Sequence, residues 1–142
     1  RLIRDRKYLI LSALLKKEIN EIVIDLDKKN LKLPIPIKWE YIPNLEKKAN
    51  KNNEVFLDRE TLKSPISLRK YKNGDYFYPS GMKGKKLLSK FFKDEKYSLL
   101  DKEEQWLLCS NGEIVWIIGK RCDNRFLARP NTKNKLLMRD LR

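Results

Sequence analysis

The sequence has no histidine and only two cysteines in 142 residues. Without histidine there is no Ser-His-Asp or Cys-His triad, no His-ligated zinc and no imidazole proton shuttle. Cys109 and Cys122 do not form C-x-x-C, and two thiols make neither a zinc site nor a disulfide framework. Cys109 ends the apolar run Trp106-Leu107-Leu108-Cys109, so it reads as a buried thiol, which suits a reducing cytoplasm. No apolar run approaches the roughly 18 residues of a membrane helix. The chain opens on Arg1, as an excerpt of a longer protein would, so the lack of a signal peptide carries little weight.

Acidic residues are also scarce, 19 against 33 basic ones, which leaves a net charge of +14. A field of that size attracts RNA, DNA or an anionic membrane surface. The competing reading is a merely well-solvated surface. Lysines outnumber arginines by 23 to 10 beside 11 asparagines, as AT-rich codon usage would produce. Hydrophobic residues make up 41%, enough for a real core, so a disordered basic tail is excluded. The expected organisation is one domain over 1–142, with N-terminal strands to 53, a central part over 54–127 and a basic segment over 128–142.

Most of the chain reads as strand. Lys7–Ser12 and Glu21–Leu26 are strand-like, with 13–20 ambiguous between a short helix and a hairpin loop, and Lys28–Asn30 a turn. Leu33, Ile35, Ile37, Trp39 and Tyr41 alternate with polar residues and prolines, which predicts an edge strand. The polar stretch Asn44–Asn53 is a loop and the best internal boundary. Glu54–Asp58 and Ile66–Lys70 are two more short strands, and Asn73-Gly74-Asp75 is a turn. Leu87, Leu88, Phe91 and Phe92 form an apolar stripe that predicts an amphipathic helix near 85–96, with Lys86, Lys90 and Lys93 opposite. Asn111-Gly112 between apolar runs predicts a hairpin whose second strand, Glu113–Ile118, is central and buried on both faces. The fold class is α+β, strand-rich, with one clear helix.

Candidate chemistry is concentrated in lysines. The loop Ser80-Gly81-Met82-Lys83-Gly84-Lys85-Lys86 is expected to open the helix, where free N–H groups and the dipole would suit a phosphate. It is not a P-loop, because two residues separate its glycines and Lys86 follows Lys85. A nucleic-acid phosphate contact and an ordinary turn with solvated lysines both remain. Residues 83–96 carry six lysines against Asp94 and Glu95. A purely solubilising face would intersperse more acids. Lys120 to Arg142 holds eight basic residues against Asp123 and Asp140. There Arg121, Arg125 and Arg129 either grip phosphate or pair structurally, for instance with Asp123. Trp106, Trp116, Phe91 and Phe92 sit at core-patterned positions. Tyr71, Tyr76 and Tyr78 surround the Asn73-Gly74 turn and are freer to stack on bases. No acid/base pair, nucleophile site or metal cluster stands out.

The order of motifs from Leu68 to Phe126 resembles the C-terminal domain of the bacterial tRNA(Ile)-lysidine synthase family. The matching pieces are Leu68-Arg69, Gly74-Asp75, Phe77, Pro79, Gly81-Met82-Lys83-Gly84, Lys86, Leu88-Ser89, Phe91-Phe92 and Asp94. They continue with Lys96, Trp106-Leu107-Leu108, Ile114-Val115-Trp116, Gly119, Arg121 and Asp123-Asn124-Arg125-Phe126. Upstream, Val55-Phe56-Leu57-Asp58 looks like the strand that opens the region, and residues 1–53 resemble the family only in pattern. The departures are Tyr76 for a common arginine, Leu87 for a second lysine, Lys90 for aspartate and Lys102 for arginine.

The resemblance implies a parent ligase that uses ATP with Mg to adenylate the wobble cytidine of the isoleucine tRNA with a CAU anticodon. Free lysine then displaces AMP to give lysidine. That chemistry belongs to an N-terminal PP-loop domain with a Ser-Gly-Gly-x-Asp-Ser signature, whereas here Ser80-Gly81 is followed by Met82. The chain is therefore expected to lack a catalytic site, ATP and metal, and to adopt an unusual β-sandwich with an accompanying helix. Its implied role is to hold and discriminate the tRNA through the acceptor stem, with the PP-loop domain as a partner and a homodimer as a possibility. The tRNA-contact set is Lys83, Lys85, Lys86, Lys90 and Lys93, with Arg69, Lys70, Arg121 and Arg125 second. The rival readings are a structural or dimerisation domain without RNA contact, and a free-standing enzyme.

Overall fold

The computed structural model describes residues 21–28, 32–42 and 53–142. The strand expected at Lys7–Ser12, the ambiguous stretch after it, and most of the 44–53 loop lie outside the described residues, as does part of the Lys28–Asn30 turn.

Local chemistry sets the hairpin at the centre. Strands β7 (Leu107–Ser110) and β8 (Glu113–Ile117) flank Asn111 and Gly112, whose φ values are 49° and 83°. Two successive positive φ values make the turn whose twist matches the paired strands, and Asn-Gly adopts it at little cost. The pairing slips between Leu108 and Cys109, leaving Val115 as the extra residue of a bulge. Its carbonyl accepts from the Asp123 N–H instead, at 2.7 Å. The bulge puts Val115 and Trp116 on one side of the sheet, while Ile114 and Ile117 face the other.

Three layers follow. A five-stranded antiparallel sheet runs β1 (Glu21–Ile24), β4 (Ile66–Arg69), β7, β8, β9 (Arg121–Cys122). A second sheet has β10 (Lys135–Asp140) between β2 (Ile37–Tyr41) and β3 (Glu54–Asp58). Leu57, Leu136 and Met138 of this sheet pack against Leu68, Leu108 and Trp116 of the first, so the two form a sandwich. The opposite face of the five-stranded sheet, through Leu107, Cys109, Ile114 and Ile117, packs under helix α1 (Leu88–Asp94). Strand β8 is thus buried on both faces, as its apolar run predicts.

Several boundaries differ from expectation. The strand foreseen from Leu33 begins only at Ile37, because Pro34 and Pro36 cannot donate to a ladder. It does lie at a sheet edge. The helix foreseen near 85–96 starts at Leu88, since Lys86–Leu87 form strand β6 and pair with β5 (Tyr76–Phe77). Leu88, Phe91 and Phe92 are buried as the stripe predicts, but Leu87 is 51% exposed. A second short helix, α2 (Leu99–Glu104), was not foreseen, although Ser98 and Asp101 form a capping box at its start. The basic segment over 128–142 contains β10, with Leu136, Leu137 and Met138 all buried.

Both cysteines are buried and free. Burial pushes the Cys109 thiol up to about 11 from 9.0, and raises Cys122 as well. A thiol whose folded pKa lies above its unfolded value favours the fold while it keeps its proton. Its contribution is fully present below about pH 9 and is lost as pH rises through about 11. We expect the native protein to resist thiol reagents near about pH 8 and to react at both cysteines once unfolded. The urea midpoint should fall as pH rises through that window, and Cys109→Ala should make the fall shallower.

Candidate nucleic-acid interface

Residues 76–93 contain five lysines and no carboxylate. They form one structural unit. Strands β5 and β6 enclose the loop 78–85, and α1 follows directly. The helix is fixed from below by Phe91 and Phe92, in edge contacts with Phe77 and Tyr71 at 5.4 and 5.3 Å.

A buried carboxylate anchors one end of the loop. Asp123 is fully buried and accepts from the Tyr78 N–H at 2.9 Å and the Arg125 N–H at 2.8 Å. Its oxygens also take the Arg125 guanidinium at 3.0 and 3.1 Å. The Ser80 N–H donates to the Cys122 carbonyl at 3.0 Å, and Arg121 donates to the Ser80 carbonyl at 2.7 Å. Gly81 and Gly84, with φ of 78° and 83°, reverse the chain where a side chain would be strained. The loop lies inside a hairpin and does not open a helix, so the expected placement at a helix N-terminus is corrected. Its amides at Tyr78, Ser80 and Met82 are already bonded within the protein, which leaves no cradle of those N–H groups for phosphate.

The nine expected contact residues separate into two groups. Lys83, Lys85, Lys90 and Lys93 are exposed. Lys90 and Lys93, three apart on α1, share a side of the helix. Among the described residues, no hydrogen bond or close ion pair engages Lys83, Lys90 or Lys93, and Lys85 lies 4.4 Å over the Tyr76 ring. Lys86 belongs with the others only in part. It sits in β6 rather than on the helix and pairs with Asp94 at 2.7 Å. That hydrogen bond holds the Asp94 carboxyl below its ordinary range, with Lys90 and Lys93 adding to the field.

The remaining four serve the fold. The Arg69 side chain is 6% exposed and grips both oxygens of Asp75, at 2.8 and 3.0 Å, locking the 72–75 turn to β4. Lys70 donates to the Glu103 carbonyl at 2.8 Å and lies 4.2 Å over Trp106. Arg121 holds the loop carbonyl. Arg125 bonds Asp123 and Glu113 and stacks 4.3 Å over Tyr78. Of the two roles the sequence leaves open for Arg125, the structure shows the pair with Asp123. Sequence reasoning did not anticipate Asp123 as the anchor of the lysine loop. Its signal was an acidic residue among arginines in a segment that also carries a buried cysteine. Among the described residues no group of three or more His, Cys, Asp or Glu side chains could hold a metal, and no helix is long and apolar enough to cross a membrane.

The family model described as the TilS substrate C-terminal domain matches residues 66–138. The tRNA(Ile)-lysidine synthase of Parabacteroides distasonis is 41% identical over 140 residues, which cover 97% of this chain and 32% of that protein. The one from Bacteroides thetaiotaomicron is 34% identical over 137 residues, 96% of this chain and 30% of that protein. The chain therefore spans about a third of the length of these curated relatives. A crystal structure of a TilS C-terminal domain shares the fold, with a TM-score of 0.64 at 21% identity over 78% of this chain and 90% of that one.

Proposed function

The chain belongs to the family of the TilS substrate C-terminal domain, and from that premise we propose that it is the tRNA-gripping part of a tRNA(Ile)-lysidine synthase. The observation that carries the reading is the acid-free stretch 76–93, whose exposed lysines ride on a loop and helix fixed to the core. Residues 1–142 then act as one unit, and the substrate is the isoleucine tRNA with a CAU anticodon, approached at its acceptor stem. An A-form stem offers phosphates and 2′-hydroxyls in a shallow groove, so lysines on a rigid frame set affinity and orientation. ATP, Mg and lysine belong to the rest of the parent polypeptide. The glycine loop of this chain lacks the P-loop spacing, and its Ser80 amide is already bonded to the Cys122 carbonyl.

The test is binding of the chain to that tRNA across a salt series, with an elongator methionine tRNA as competitor. Affinity should fall steeply with salt and favour the isoleucine tRNA. Replacing Lys83, Lys90 and Lys93 together by glutamine should lower the slope of log K against log salt by about three. The urea midpoint should stay unchanged, because all three are exposed. An unaltered slope would remove these lysines from the interface.

A second reading, a domain that docks on protein, is favoured by helix α2. There Leu99 and Leu100 are 73% and 58% exposed beside Asp101, Glu103 and Glu104. Concentration-dependent sedimentation together with absent RNA binding at low salt would select it.

A further inference from the structure

The β5–β6 hairpin has two unlike faces. Tyr76 pairs with Leu87 and Phe77 with Lys86. Paired residues share a face and neighbours alternate, so Tyr76, Tyr78, Lys85 and Leu87 point the same way. Phe77 points to the core and is fully buried. The other face is open, with Tyr76 41% and Leu87 51% exposed. Tyr78 meets Tyr76 edge-on at 6.1 Å, and the Arg125 plane covers Tyr78 at 4.3 Å. Lys85 sits 4.4 Å over Tyr76. The result is a strip of aliphatic, aromatic and guanidinium planes with the Lys85 ammonium lying over its central ring.

We infer that this strip is a stacking platform for an unpaired nucleotide of the RNA, with Tyr76 as its central ring and Lys85 on the adjoining phosphate. The inference rests on the RNA-binding reading above and adds the class of ligand taken at this place. Solitary exposed apolar residues are ordinary, but Tyr76 and Leu87 are cross-strand neighbours, with Lys85 on Tyr76 and Arg125 on the adjoining Tyr78. Base faces beside phosphates match that mixture, since an unpaired nucleotide supplies a ring for Tyr76 and an anion for Lys85. A paired stem keeps its bases stacked inside the helix, so the strip can be filled only by a nucleotide that has left the duplex.

The experiment uses the 142-residue chain and three RNA hairpins with one stem. One is blunt, one carries a short single-stranded 3′ extension, and one carries the same extension with abasic sugars, which keeps the phosphates and removes the bases. The chain should bind the based extension about tenfold more tightly than either of the others. Tyr76→Ala should erase that preference while blunt-hairpin affinity persists, and Tyr76→Phe should keep it. Equal affinity for all three hairpins would overturn the platform and return the face to protein contacts. Equal affinity for based and abasic extensions would overturn it in favour of phosphate contact alone, and so would a Tyr76→Ala protein that keeps the preference. Failure to bind any of the three would overturn the RNA-binding reading and the platform with it.

Discussion

Asp123→Ala is expected to cost about 3 kcal/mol of folding stability, at the lower end of what removing one partner of a buried ion pair costs. The carboxylate is fully buried and answers two backbone N–H groups and a guanidinium. Alanine leaves the Tyr78 amide and the Arg125 amide without an acceptor. The guanidinium itself is about a third exposed, at 34%, so water recovers part of its loss, and that keeps the figure from the upper end. Asp123→Asn should cost less, because one oxygen can still accept while the new amide faces Arg125 with donors on both sides. A urea titration measures both, and a loss below about 1 kcal/mol for alanine would show that the anchor is not needed. The lysine loop should suffer beyond the stability change. It is tied down at Tyr78 and Ser80, so releasing the first tie should weaken RNA binding even at temperatures where the variant is folded.

The elements that could be read in the sequence were those whose chemistry is local. Asn111-Gly112 specifies its hairpin by backbone preference alone, and Glu113–Ile118 is apolar without interruption, as a strand covered on both faces must be. Leu88, Phe91 and Phe92 gave the helix its face. What escaped was decided across the chain. Leu87 fits the helical stripe and Lys86 the lysine face opposite, and only their pairing with Tyr76 and Phe77 turns them into strand. Two-residue strands such as β5, β6 and β9 carry no periodicity to detect. The bulge at Val115 is equally silent, because it arises from a slip against β7 and from the Asp123 amide that takes up its carbonyl.

The candidate site divides along the same line. That lysines dominate 83–93 is a matter of composition. Which of them are free is a matter of contacts: Lys86 is paired through Asp94, eight positions on, and Arg69 through Asp75, six positions on. Among the candidate residues the bidentate locks are made by arginine, whose planar fork matches a carboxylate, while Lys83, Lys85, Lys90 and Lys93 are exposed. This is why Arg69, Arg121 and Arg125 have partners within the fold while Lys83, Lys90 and Lys93 have no hydrogen bond or close ion pair among the described residues.

The segment over 128–142, which the sequence marks as basic, supplies the second large effect. Ending the chain after Asn134 should abolish the cooperative fold. Strand β10 is the middle of its sheet, and among the described residues β2 joins that sheet only through it. Leu136, Leu137 and Met138 are each at most 3% exposed, and burying such side chains contributes roughly 1.5–3 kcal/mol apiece. Their joint loss, about 5–9 kcal/mol, is of the order of a domain's whole stability. Circular dichroism and a urea titration of the shortened chain should show no cooperative transition. Leu136→Ala, a milder change, should cost about 2–5 kcal/mol and leave a transition to measure. Arg139, in the same strand but 49% exposed beside Glu54, should tolerate serine for under about 1 kcal/mol. If the shortened chain still unfolds cooperatively near the parent midpoint, β10 is dispensable and the sandwich closes without it. If Arg139→Ser costs as much as Leu136→Ala, charge rather than burial holds the strand. The basic residues of this segment flank Leu136, Leu137 and Met138 on both sides. The three consecutive buried side chains between them are what the fold cannot lose.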